Sequence, residues 1–171
     1  MRTLIISSSL SENSKSFILC NEVNKKLKHL GVKSEIIDAR EIPLFPYHVP
    51  KSTQMNNLTE KISSADNLII AMGVHNYSIN DSLKIILDTC FKNVEGKFFG
   101  LICASGGEKS YLSTMHLSQI CMNEWKMIQL PRIIYGARKD FENNQIKSQK
   151  LFDWIDLFCN EFKEIGNKLM N

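Results

Sequence analysis

Five apolar runs of strand length punctuate the sequence, at Thr3–Ser7, Ser34–Asp38, Asn67–Met72, Phe98–Ala104 and Met127–Tyr135, and segments with helical spacing lie between them. Short continuous apolar runs suit strands buried on both faces, and strands that alternate with helices run parallel to one another. The pattern predicts a three-layer, doubly wound α/β fold with a five-stranded parallel sheet. In the first helical segment Cys20, Val23, Leu27 and Leu30 recur at steps of three and four and end at Gly31, a residue suited to the left-handed turn that closes a helix. Ile146, Leu151, Phe152, Ile155, Phe158, Phe162, Ile165 and Leu169 make a second stripe near the end of the chain. Both stripes are read as core contacts with the sheet. The proline-bearing stretch "IPLFPYHVP", residues 42–50, excludes regular helix and ladder and is read as a shaped surface loop.

A chain of 171 residues suits one domain, residues 1–171, able to bury roughly 70% of its unfolded surface without staples. A formal charge of +3, dispersed along the chain, points away from nucleic acid and toward a small-molecule partner. Cys20, Cys90, Cys103, Cys121 and Cys159 are odd in number, widely spaced and mostly in apolar segments, so they are read as buried reduced thiols. No histidine has metal-ligand spacing to a cysteine or carboxylate. The four-residue apolar run before the first serines is neither a signal peptide nor a membrane span, which predicts a cytoplasmic protein without a membrane partner.

In doubly wound sheets, ligands bind beyond the carboxyl ends of the strands, where the winding order reverses. Three loops share that edge. After the first strand comes "SSSLSENSKS", residues 7–16, whose hydroxyls stand just ahead of a helix. Unpaired amides of a first helical turn and the positive end of the helix dipole can form a cup for an anion there. After the third comes "GVHNYSINDSLK", residues 73–84, with a helix expected to begin near Ser78 to Asn80. After the fourth comes "ASGGEKS", where Gly106 and Gly107 permit close backbone approach to a flat ligand. Neither a P-loop nor a G-x-G-x-x-G fingerprint is present, which removes nucleoside triphosphatase and classical dinucleotide-fold readings.

With these motifs in place, the sequence resembles the NAD(P)H-dependent FMN reductase family over about residues 2–136. The family's first loop, G-S-L-R-x-x-S-x-N, is similar to Ser8 through Ser16; its second, P-E-Y-N-G-S-I-P-G-x-L-K, to Gly73 through Lys84; its third, S-A-S-G-G, to Cys103 through Gly107. The resemblance implies a flavodoxin-like sheet of strand order 2-1-3-4-5. It also implies FMN, with Ser9, Ser11, Ser14 and Ser16 around the phosphate and Val74, His75, Asn76, Tyr77, Ser105, Gly106 and Gly107 against the ring, largely through backbone. The implied activity is oxidation of NADPH or NADH, with electrons passing through FMN to a flavin, quinone, azo compound or similar small-molecule acceptor. No catalytic side chain is nominated, because the flavin carries the chemistry. The resemblance further implies a homodimer or homotetramer. Ser11 stands where the family has arginine, which removes a charge-assisted contact worth about 1.5–3 kcal/mol, and Lys15 is the nearest replacement. Two other readings remain at this point: a flavodoxin-type electron carrier, whose partner surfaces tend to be acidic, and a non-catalytic flavodoxin-like binding module.

Overall fold

The computed structural model of the chain describes residues 1–170. In chain order the elements are β1 (Arg2–Ser7), α1 (Lys15–His29), β2 (Lys33–Asp38), α2 (Thr53–Ser64), β3 (Asn67–His75), β4 (Ser78–Ile79), α3 (Asp81–Cys90), β5 (Phe98–Ser105), α4 (Thr114–Glu124), β6 (Ile128–Ala137), β7 (Phe141–Glu142), β8 (Gln145–Ile146) and α5 (Gln149–Met170). The sheet runs β2-β1-β3-β5-β6 with every neighbouring pair parallel. Counted among themselves, those five strands stand in the order 2-1-3-4-5, the flavodoxin-like arrangement.

Alternation along each strand divides the apolar residues between two layers. Leu4, Ile6, Leu68, Ile70, Leu101 and Cys103 pack with α2, α3 and α4 on one face; Ile5, Ile69, Ile102 and Ile134 pack with α1 and α5 on the other. Ser14 starts α1 by accepting a hydrogen bond from the Phe17 amide at 3.1 Å, and the helix closes at Leu30 with Gly31 at φ +79°. The proline loop is tied to α2, whose N-cap Ser52 donates to the Pro43 carbonyl at 2.9 Å and accepts from the Met55 amide.

Three local expectations are corrected. β3 continues to His75 and folds back through Asn76 and Tyr77 into β4, pairing Val74 with Ile79 and His75 with Ser78, so α3 begins only at Asp81. Ile146 belongs to the β7–β8 hairpin, from which it packs into the α1/α5 layer, and not to α5. Leu169, at the other end of that stripe, is 49% exposed. The five cysteines are free and buried, as expected. Burial pushes the thiols of Cys103, Cys121 and Cys159 up to about 12, so they remain protonated at neutral pH.

Gly100, beside a register shift in the β5–β6 pairing, meets two core rings: a Cβ there would lie 2.5 Å from Phe158 Cζ and 3.2 Å from Phe162 Cδ2, and both rings are fully buried. Gly100→Ala is therefore expected to cost about 1–3 kcal/mol through overpacking. The expected readout is a lower urea midpoint at unchanged slope; an unchanged midpoint would mean that the rings can move aside.

Candidate functional site

The three loops meet at the carboxyl edge of the sheet, and one side chain joins the first to the second. Asn80, 1% exposed, precedes α3 but makes no capping bond. Its amide nitrogen donates to the Ser8 carbonyl at 3.1 Å and to Ser82 Oγ at 2.7 Å, while its oxygen accepts from the Gly73 amide at 3.1 Å. Ser82 Oγ donates in turn to the Ser8 carbonyl at 2.6 Å. The buried Ser8 hydroxyl lies 2.7 Å from the Ala71 carbonyl and 3.0 Å from Asn80 Oδ1, so its one proton is shared between two acceptors. First loop, end of β3 and start of α3 thus form one hydrogen-bonded unit. Ser8 and Asn80 stand where the family motifs have glycine and proline, and these two replacements touch each other.

Within the first loop, Ser9 is half-buried, and its hydroxyl accepts from the exposed Ser11 amide at 3.3 Å. Ser14 and Ser16 are buried, with hydroxyls 3.0 Å apart. The first turn of α1 carries no acidic residue, which keeps its field favourable to an anion. A guanidinium reaches this loop from another strand. Arg40, in the single 3₁₀ turn Ala39–Glu41 after β2, donates Nη1 to the Glu12 carbonyl at 3.1 Å and lies 4.4 Å over the Phe17 ring. Asp38 holds it through Nε at 2.9–3.0 Å and Nη2 at 2.5 Å, and that hydrogen bonding raises the already high pKa of Arg40. Lys15 forms no ion pair among the described residues.

In the second loop Asn76 and Tyr77 occupy left-handed backbone, φ +47° and +63°, as a two-residue hairpin turn of this hand requires. The Tyr77 hydroxyl donates to the Lys109 carbonyl at 3.1 Å and so links the second loop to the third. His75 is exposed, 3.8 Å from the Asp81 carboxylate, and Val74 is half-buried beside it. In the third loop Ser105 Oγ lies 2.5 Å from the Tyr135 hydroxyl, and both reach the Gly107 carbonyl, Tyr135 at 2.6 Å. Two hydroxyls hold two protons, so one donates to that carbonyl and the other to its neighbour. A Cβ placed on Gly73, Gly106 or Gly107 would meet nothing within 4 Å, so the rim beside these residues is open.

All eleven residues singled out in the sequence fall on these three loops. Ser8, Ser82, Asn80, Tyr135 and Arg40 were not singled out. Only Arg40 left a local signal, the Asp38-Ala39-Arg40 spacing just after a strand that the fold places beside β1.

A match to the NADPH-dependent FMN reductase family spans residues 1–142. The chain belongs to that family. Its fold is shared with several solved proteins: an oxidoreductase from Corynebacterium diphtheriae (18% identity, 98% of each chain, TM-score 0.78), the apo form of the NADH:FMN oxidoreductase EMOB (16%, 96% of this chain and 89% of the other, 0.79), and FerB, a flavoenzyme NAD(P)H:(acceptor) oxidoreductase from Paracoccus denitrificans (16%, 98% of each, 0.77). No curated protein matches it in sequence. Family membership makes it an FMN reductase-like enzyme and an FMN-dependent oxidoreductase. The rim suits FMN chemically: hydroxyls and a first helical turn for the phosphate, and glycine-backed open space for a flat ring.

Removing the Asn80 side chain should loosen all three segments at once. Asn80→Ala leaves the Gly73 amide without its acceptor and the Ser8 carbonyl without one of its donors, an expected loss of about 1–3 kcal/mol. In a double-mutant cycle with Ser8→Ala, the coupling energy should exceed about 0.5 kcal/mol. Strict additivity in denaturant melts would mean that the two residues act separately.

Proposed function

We propose that the chain binds FMN with its phosphate in the first loop and its ring against the second and third, oxidises NADPH or NADH, and delivers the electrons to a small-molecule acceptor such as a flavin, quinone or azo compound. The observation that carries this reading is the convergence of a hydroxyl-lined helix start and a glycine-backed rim on one edge of the sheet, held in register by Asn80. When bound, FMN supplies the hydride and electron chemistry. The protein's own residues position and tune.

Ser9, Ser11, Ser14 and Ser16, with the amides around them, receive the phosphate as neutral donors. Arg40 adds positive potential at the same loop and fixes the Glu12 carbonyl, so the cup opens toward its amides. Asp38 moderates that charge, which favours a cup of intermediate strength. The backbone from Val74 to Tyr77 and from Ser105 to Gly107 faces the ring. The absence of side chains at Gly106 and Gly107 lets peptide groups come close, and the Ser105–Tyr135 pair keeps the Gly107 carbonyl engaged and away from the ligand.

The enzyme acts in the cytoplasm as a homodimer or homotetramer. What supports assembly is the exposure of Leu112 in the turn before α4 and of Met115 and Met122 on it, 63%, 50% and 49% exposed. Light scattering should return a whole multiple of 19.6 kDa above one.

The test is titration of the purified chain with FMN, followed by anaerobic addition of each nicotinamide. Saturable quenching of flavin fluorescence, then bleaching of its visible absorbance, is expected; continued NAD(P)H oxidation with an added acceptor separates a reductase from a carrier. Arg40→Gln should weaken FMN binding about tenfold, the lower bound for losing a charge-assisted contact. FMN that fails to bind, or binds equally well without Arg40, contradicts the corresponding part of the proposal.

A further inference from the structure

Beyond the third loop, against the outer strand β6, lies a cleft of 470 Å³ whose lining includes none of the residues assigned to FMN. Its walls are three aromatic rings from three elements: Tyr111 from the turn before α4, Tyr135 from β6 and Trp154 from α5. Its floor is Ile133 and Leu151, 7% and 5% exposed. We infer that this cleft binds a flat aromatic carboxylate.

Each ring is already held in place. Tyr111 and Tyr135 meet edge-on, centroids 5.4 Å apart at 66°, and Tyr135 is fixed by its hydroxyl at Gly107. Trp154 donates Nε1–H to the Ile133 carbonyl at 2.8 Å, and Arg132 covers it at 4.3 Å. Arg132 is itself clamped by Glu161 at 2.7 and 2.9 Å. Rings that need no reordering lose little entropy when a flat ligand slides between them.

The lining charges balance, Glu108 and Asp140 against Lys139 and Lys150, and differ in how far each is already engaged. At the mouth Lys139 is paired with Glu108 at 2.5 Å, and Asp140 accepts from the Ala137 amide at 2.9 Å. Lys150 lines the same cleft and forms no ion pair among the described residues. It is the cation left for a ligand carboxylate. A peptide strand is a poor occupant of this edge, because Pro131 interrupts the outer strand and Trp154 already occupies the Ile133 carbonyl. The volume falls in the range of small-molecule sites, about 300–1,000 Å³.

The probe is 2-naphthoate, with uncharged 2-naphthamide as control, titrated into the full chain by calorimetry and followed on the indole N–H signals. The sequence holds two tryptophans, and Trp125 lies outside the cleft lining, its ring tilted at 41° against Phe91 with centroids 5.0 Å apart. Saturable binding that shifts the Trp154 signal and leaves Trp125 unmoved is expected. Naphthoate should bind about tenfold tighter than the amide, and Lys150→Gln should abolish that preference while leaving the fold and FMN titration unchanged. Binding without saturation, equal shifts at both indoles, or a preference that survives Lys150→Gln would overturn the inference. So would displacement of naphthoate by FMN, which would place the probe in the flavin site.

Discussion

Asn80 turns its whole carboxamide inward, toward Ser8, Gly73 and Ser82, at a helix start where such a side chain would ordinarily cap its own amides. It ties the end of β3 and the start of α3 to a first loop 72 positions away in sequence. Being buried and fully bonded, it couples them strongly, because an unmade bond in that setting costs far more than a surface one. The family motifs place glycine and proline at these two positions, residues that shape backbone alone. Here the same junction is held by side-chain hydrogen bonds, with Ser8 and Asn80 as complementary halves of one replacement.

A similar substitution of means concerns charge. The first loop lacks the family arginine at Ser11, yet a guanidinium still touches it. Arg40 arrives from the end of β2, which the winding order sets beside β1, and lands on the Glu12 carbonyl and the Phe17 ring. Its partner Asp38 keeps it oriented at the cost of part of its field. The first loop therefore presents hydroxyls and amides with a moderated cation behind them, and not neutral groups alone.

The sheet was legible in the sequence because its central strands are buried on both faces and read as unbroken apolar runs, with boundaries within a few residues of those observed. That the three candidate loops share one edge was legible for a related reason: the ends of such strands are where small and hydroxyl residues cluster. The β3–β4 hairpin was not, since its turn carries Tyr77 where glycine usually announces a left-handed residue. Nor was the Asn80 junction, whose contacts with Ser8 span 72 positions and leave no periodic trace. Ile146 misled because an apolar hairpin residue lies only five positions before Leu151, where the stripe of α5 begins.

The central claim is that three hydrogen-bonded loops at one rim act together as a single FMN cup. Amide hydrogen exchange of the full chain, with and without FMN, examines it most directly. The account predicts that FMN slows exchange in residues 8–17, 73–80 and 105–111 together, with the outer strand and α5 unchanged. Protection confined to one of these loops, or appearing elsewhere on the molecule, would contradict it.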